Sequence, residues 1–172
     1  MEEKEMEEMF CFQCQETAKG TGCTVRGVCG KNSTTSARMD LLLFVIRGIS
    51  IAAHTLRTHR ILPDPQVNAF VIDALFSTIT NANFDEKSIT ERINRGFNLR
   101  NRLVAQASSA GITFPSADEL TWNGAPEAYD DKAAEVGVLR EPNEDLRSLK
   151  ELIVYGLKGM AAYAGHAMRL GY

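Results

Sequence analysis

The sequence lacks cysteine from residue 30 onward, and it has only 1 tryptophan and 3 histidines among its 172 residues. Its net charge of −3 argues against the basic surface that is typical of nucleic-acid-binding domains. The longest apolar run, from Leu41 to Ile46, is far shorter than the roughly 20 residues of a membrane span. No segment resembles a signal peptide, so we expect a cytoplasmic protein in a reducing compartment, without a membrane or nucleic-acid partner.

Familiar catalytic arrangements are also missing from the sequence. His54, His59 and His166 have no cysteine or carboxylate arranged around them at ligand spacing. We therefore expect surface or capping histidines and assign them no role. A Ser-His-Asp triad and a phosphate-binding glycine motif cannot be assembled either, so the sequence predicts no catalytic residue.

All four cysteines fall within one short, glycine-containing segment, at Cys11, Cys14, Cys23 and Cys29. The segment has the spacing C-x2-C-x8-C-x5-C, little apolar bulk, and glycines that allow left-handed turns and close approach to a ligand. Four thiolates suit a cubane iron–sulfur cluster, whose irons each need one external sulfur. We therefore predict a cluster-binding loop over residues 10–32.

Other uses of the four thiols remain open at this point. An all-cysteine site can hold a structural zinc ion, although Cys23 and Cys29 are spaced more widely than a usual zinc knuckle. Disulfides or unrelated free thiols are further alternatives, which the missing signal peptide and the clustering disfavour. Lys19, Arg26 and Lys31 beside the cysteines could offset cluster charge or contact an acidic redox partner, but we expect solvated loop charges.

The segment MFCFQCQETAKGTGCTVRGVCGK, residues 9–31, resembles the amino terminus of the hybrid-cluster protein family, also called prismane proteins or hydroxylamine reductases. The resemblance includes both the cysteine spacing and the residues between the cysteines. It implies that Cys11, Cys14, Cys23 and Cys29 bind a [4Fe-4S] cubane, as the four amino-terminal cysteines of that family do. It also implies a relay that passes electrons to a catalytic hybrid cluster.

One departure from the family pattern limits what the resemblance implies. Members run to several hundred residues, and their later domains supply the Cys, Glu and His ligands of the hybrid cluster. None of these ligands can be placed after Cys29, so the chain resembles the amino-terminal domain alone. We do not expect the chain by itself to reduce hydroxylamine, and its partner would be a redox protein or the missing domains. A non-enzymatic helical assembly module, stabilised by a cluster or zinc, is the alternative.

Apolar residues recur at three- and four-residue steps in three long stretches, which is typical of helices with one buried face. The predicted helices cover residues 36–60, 64–80 and 85–110, with Asp85 as a cap, a turn at residues 81–83, and Gly111 closing the third. Predicted core positions on the first are Leu41, Leu42, Val45, Ile49, Ala52, Ala53 and Leu56. No stretch alternates with period two. We predict an all-α fold with an up-down three-helix bundle over residues 33–111.

The segments outside this bundle have weaker patterns. Residues 1–9 form an acidic tail that we expect to be disordered. We predict that residues 112–142 form a connector across the bundle. Within it we expect a short helix from Pro126 to Val136, and we expect Trp122 to anchor the connector by packing.

The last helix, over residues 143–172 with Asn143 as its cap, is interpreted as a repeat of residues 36–60. Setting Gly159 on Gly48 aligns the two at a constant offset. Interior glycine costs a helix about 1 kcal/mol relative to alanine, so we expect both glycines to permit close contacts. The helix would begin a second, incomplete bundle. We expect six apolar residues to pack on the first bundle, or on another chain in a homo-oligomer: Leu146, Leu149, Leu152, Ile153, Leu157 and Met160.

Overall fold

The computed structural model describes residues 9–15, 17–79 and 82–172. This part of the chain has six α-helices, three short 3-10 helices and an irregular amino-terminal loop, with no β-strand. The α-helices are α1 (Ser33–Thr58), α2 (Pro65–Ser77), α3 (Glu86–Ser109), α4 (Asp118–Thr121), α5 (Tyr129–Val136) and α6 (Glu144–Arg169). The prediction of an all-α fold is confirmed. Residues 1–8 of the predicted tail, and part of the predicted turn at residues 81–83, lie outside the described residues, whereas Met9 at the end of that tail is buried.

Local capping explains where the long helices begin and end. The Asp85 carboxylate accepts a hydrogen bond from the Lys87 N–H at 3.0 Å, and the Asn143 side chain accepts one from the Leu146 N–H at 3.0 Å. Both caps were predicted, and each satisfies a backbone donor that has no partner inside its helix. Gly111, with φ +72°, follows the end of α3 in the left-handed conformation expected there.

Helix α1 lies at the centre of the fold. All seven of its predicted core positions are buried. It packs most extensively against α3 and also contacts α2, α4 and α5, whereas α2 has its largest contact with α6. By length and composition α1 could also cross a membrane, but 67% of its most apolar stretch is buried inside the structure. Such burial is typical of the core helix of a soluble protein.

Gly48 allows the connector to reach the middle of α1. A side-chain carbon at this position would lie 2.9 Å from the Glu119 carbonyl carbon in α4 and 3.0 Å from the Arg100 Cδ. The predicted close contact at Gly48 is therefore confirmed, although its partner is the short helix α4, which was not predicted. The corresponding prediction for Gly159 is wrong, since a carbon added there would meet none of the described atoms within 4 Å.

Trp122 anchors the connector, as predicted. Its ring lies 6.2 Å from the Phe44 ring, 5.6 Å from the Phe97 ring and 6.2 Å from the Tyr129 ring, measured between centroids. The predicted helix from Pro126 to Val136 is present as a 3-10 helix, Pro126–Ala128, followed by α5. The connector is thus a packed layer over α1 and α3.

A fully buried arginine joins α3 to the same connector. The Arg100 guanidinium donates to the Glu119 carbonyl at 3.0 Å and to the Asn123 side-chain oxygen at 2.7 Å, and it lies 4.9 Å from the Phe97 ring centroid. A buried guanidinium is tolerated because its donors are paired and its planar face rests on an aromatic ring.

Helix α6 turns a different face inward from the one that the sequence predicted. Its buried residues are Lys158 and Ala161. The six apolar residues that we expected to pack are 44–69% exposed: Leu146, Leu149, Leu152, Ile153, Leu157 and Met160. The expectation that they pack on the first bundle is wrong for the described chain, because the opposite face of α6 lies on α2 and on the amino-terminal loop. Packing on another chain stays a prediction.

Candidate metal centre

A short antiparallel pairing brings the first and third cysteines together. The Cys11 N–H donates to the Cys23 carbonyl at 3.0 Å, and the Cys23 N–H donates to the Cys11 carbonyl at 2.9 Å. Both cysteines are buried in a small apolar cluster with Met9. Two stretches of loop are therefore tied across the cysteine pair.

Backbone geometry shapes the rest of the loop. Gly22 has φ +134°, a conformation that favours glycine, and a side-chain carbon there would lie 2.5 Å from the nearest atom of the Phe10 ring. The Ala18 N–H points at the Cys23 Sγ from 3.5 Å, which is a backbone donor aimed at a thiol. Cys29 lies in a tight turn, in which the Gly30 N–H donates to the Gly27 carbonyl at 2.8 Å.

Burial dominates the electrostatics of the first cysteine. Burial raises the pKa of Cys11. A hydrogen bond to Ser36 lowers this pKa by a smaller amount, and the charge of Cys23 raises it slightly. The charge of Lys31 interacts with the thiols of Cys29, Cys11 and Cys14. All four cysteines are free, which excludes the disulfide alternative for this structure.

Lys31 is buried, which corrects the expectation that it is a solvated loop charge. Its ammonium donates to the Ile79 carbonyl at 3.1 Å and lies 5.4 Å from the Phe84 ring centroid. Burial lowers the pKa of Lys31, and the nearby thiols act in the opposite direction. Lys19 and Arg26 are exposed, as expected.

Helix α6 covers the loop at its first cysteine pair. The Tyr155 hydroxyl donates to the Phe12 carbonyl at 2.8 Å, and the Lys158 ammonium donates to the Gln13 carbonyl at 2.9 Å. The rings of Phe12 and Tyr155 are 5.8 Å apart between centroids. Cys14 therefore follows a backbone segment that is held from the carboxy-terminal helix.

A buried polar network connects this segment to α1. The Gln13 amide nitrogen donates to Asp40, and its amide oxygen accepts from Lys158. Burial raises the pKa of Asp40 to about 7 and lowers the pKa of Lys158 to about 8. The positive charge of Lys158 lowers the pKa of Asp40, and the negative charge of Asp40 raises the pKa of Lys158, so each group favours the charged form of the other. The network thus places a lysine and a carboxyl group, joined through Gln13, beside the cysteine loop.

The described side chains form no preformed ion site, but the loop carries donors of the kind that an iron–sulfur cluster uses. Within residues 9–15, 17–79 and 82–172, no three or more His, Cys, Asp or Glu side chains are arranged to hold a metal ion. The loop nevertheless supplies four unpaired thiols, a backbone N–H aimed at a thiol, and the buried cation of Lys31, whose charge interacts with three of the thiols. These are the ligands and the surrounding donors that a cluster needs.

The three histidines take no part in this site. His54, His59 and His166 are exposed. His166 packs edge-on against Phe76 with 6.1 Å between centroids, and the His59 Nδ1 lies 2.9 Å from the Thr55 carbonyl. These contacts match the surface and capping positions that the sequence predicted.

Comparison with known proteins establishes the family. A model of the prismane/CO dehydrogenase family matches residues 9–172. The chain belongs to this family. The prediction of the family from residues 9–31 is confirmed, and membership supports an iron–sulfur protein in general terms.

Curated relatives of this family member are hydroxylamine reductases. The protein from Bacteroides thetaiotaomicron is 52% identical over 164 residues, which cover 95% of this chain and 29% of the relative. Those from Porphyromonas gingivalis and Desulfitobacterium hafniense are 50% and 51% identical, and each alignment covers 95% of this chain and 30% of the relative. The chain thus spans less than a third of the length of these relatives.

Sequence reasoning missed the residues that surround the cysteine loop. Gln13, Asp40, Tyr155 and Lys158 were not identified as site residues. No clear signal was available, because Lys158 lies on the less apolar face of α6, where a lysine is ordinarily exposed. Only the contact between α6 and the amino-terminal loop, which are distant in sequence, shows why a lysine is there.

Proposed function

We propose that this chain is the electron-transfer part of a hydroxylamine reductase, and that Cys11, Cys14, Cys23 and Cys29 hold a [4Fe-4S] cluster. The observation that carries the proposal is the presence of four free thiols within residues 11–29 of one loop, in a chain whose curated relatives are hydroxylamine reductases. When bound, such a cluster supplies one-electron transfer.

The residues of the chain have separate tasks in this proposal. The backbone pairing of Cys11 with Cys23 would hold two of the ligands next to each other, and the turn after Gly27 would carry Cys29. The Ala18 N–H donates toward the Cys23 sulfur, an interaction that tunes the potential of sulfur-ligated clusters. Lys31 offsets the negative charge of the thiolates from a buried position.

Partners and location follow from the same proposal. Because the relatives are about three times as long, the electron acceptor would be a centre in further domains of the same protein, or a separate redox protein. We propose a cytoplasmic location, since free thiolates and a cluster persist in a reducing compartment. The exposed face of α6 would be covered by those further domains or by a second copy of this chain.

Visible absorption of anaerobically purified protein tests the proposal. We expect a broad band that decreases on reduction with dithionite, and we expect Cys→Ser substitution at any of the four positions to reduce or abolish it. Thr24→Ala is the matched control, since Thr24 is exposed in the same loop and has no thiol. A colourless protein that retains one zinc ion would contradict the proposal and favour the metal-stabilised assembly module. Retention of the full band in the Cys→Ser variants would contradict the ligand assignment.

A further inference from the structure

The contacts between α6 and the cysteine loop exceed what helix packing requires. Two polar side chains of α6 reach the carbonyl groups of three consecutive residues, Phe12, Gln13 and Cys14. The Tyr155 hydroxyl donates to the Phe12 carbonyl at 2.8 Å and lies 3.4 Å from the Cys14 carbonyl. The Lys158 ammonium donates to the intervening Gln13 carbonyl at 2.9 Å. The backbone that precedes Cys14 is therefore fixed from outside the loop.

The burial of Lys158 shows that its position is specific. Its side chain is only 2% exposed, while apolar side chains of the same helix face solvent. Removing an ammonium group from water is unfavourable unless its donors are paired. Both of its hydrogen-bond acceptors belong to Gln13, so the ion is paired with the loop.

We propose that Tyr155 and Lys158 are positioning residues that hold the first cysteine pair in its binding geometry, and that Lys158 also places a positive charge that favours the reduced state of the centre. The second half rests on the proposed function; the first half does not. Reduction adds negative charge to the centre, and a nearby positive charge is more effective where water is excluded. Asp40 and Glu151, the carboxyl groups near Lys158, raise its pKa and so favour its charged form. Negative charge on either carboxyl group would offset part of the effect of Lys158 on the centre.

Three single substitutions separate the two halves of the proposal. Lys158→Met removes both the hydrogen bonds and the charge. Tyr155→Phe removes hydrogen bonds alone. Lys150→Met is the matched control, because Lys150 is an exposed lysine of the same helix, and it pairs with Glu141 instead of the loop.

Hydrogen exchange of residues 9–15 in the metal-free chain tests the positioning half. The Cys11 N–H is protected by its bond to the Cys23 carbonyl, so it reports on the loop geometry. We expect exchange about tenfold faster in Lys158→Met and a smaller acceleration in Tyr155→Phe, as for the loss of a charged and a neutral hydrogen bond. Lys150→Met should match wild type. Unchanged exchange in both loop-contact variants would overturn the positioning role.

An anaerobic redox titration of the cluster-loaded chain tests the charge half. We expect a lower reduction potential in Lys158→Met and a smaller change in Tyr155→Phe, with Lys150→Met at the wild-type value. An unchanged or raised potential in Lys158→Met would overturn the role of the charge. If Lys158→Met fails to fold, Lys158→Gln replaces it, since glutamine keeps a hydrogen-bond donor and removes the charge. We expect Lys158→Gln to lower the reduction potential, and an unchanged potential would overturn the role of the charge. A wild-type chain that binds no cluster refutes the proposed function, while the exchange experiment still decides the positioning half.

Discussion

Gly48→Ala is expected to destabilise the fold, because the added methyl group would overlap the backbone of α4. The new carbon would lie 2.9 Å from the Glu119 carbonyl carbon, closer than real side-chain carbons approach such an atom. Backbone cannot swing aside as the end of a flexible side chain can. The Glu119 carbonyl is also fixed by the guanidinium of Arg100.

The size of the effect follows from two opposing contributions. Alanine in a helix interior gains about 1 kcal/mol over glycine. Overpacking typically costs about 1–3 kcal/mol, and a weakened hydrogen bond from a charged donor costs about 1.5–3 kcal/mol more. We therefore expect Gly48→Ala to lower the free energy of unfolding by about 1.5–5 kcal/mol.

Gly159→Ala is the matched control for this prediction. It lies inside α6 with none of the described atoms within 4 Å of the added carbon, so it should raise the free energy of unfolding by about 0.5–1 kcal/mol. Urea unfolding followed by far-UV circular dichroism measures both variants. If Gly48→Ala is as stable as wild type, or if both variants shift alike, the argument from the contact with Glu119 is refuted.

Three further substitutions test other parts of the fold by the same unfolding assay. Arg100→Met should lower the free energy of unfolding by about 2–4 kcal/mol, because Glu119 and Asn123 lose a buried charged donor. In the control, the exposed Arg102→Met should stay within about 0.5 kcal/mol of wild type. Equal losses of stability in the two variants would contradict the buried role of Arg100. Burial raises the pKa of Asp40 to about 7, so its contribution to stability is complete below its usual pKa of 3.8 and is lost as the pH rises through 7. The free energy of unfolding of Asp40→Asn, relative to that of wild type, should therefore increase by on the order of 2–4 kcal/mol between about pH 5 and pH 8. A difference in stability that does not change with pH would contradict this. Leu152→Lys should change stability by less than about 0.5 kcal/mol, since Leu152 is 65% exposed, and a larger loss would show that its face is covered.

The sequence predicted the main helices well because their periodicity is a local property. The predicted stretch 36–60 became α1 at Ser33–Thr58, and 85–110 became α3 at Glu86–Ser109. The caps Asp85 and Asn143 were identified because capping depends on a few neighbouring residues. The cysteine motif was equally local, so the family could be predicted from residues 9–31.

The packing partners of charged residues could not be predicted in this way. Lys31, Arg100 and Lys158 are buried, because residues distant in sequence supply a carbonyl or an aromatic ring for each. Periodicity chose the more apolar face of α6 as the packed one, yet the structure buries the face that carries Lys158. The aligned glycines likewise differ, since only Gly48 meets another segment. A helical pattern shows which residues share a face but not what that face contacts.

Native mass spectrometry of the anaerobically purified chain tests the central claim most directly. We expect four irons and four sulfides bound to one chain, and we expect this mass increment to disappear when Cys14 and Cys29 are both replaced by serine. A single zinc ion in place of the cluster would contradict the account. So would a four-iron increment that survives the double replacement.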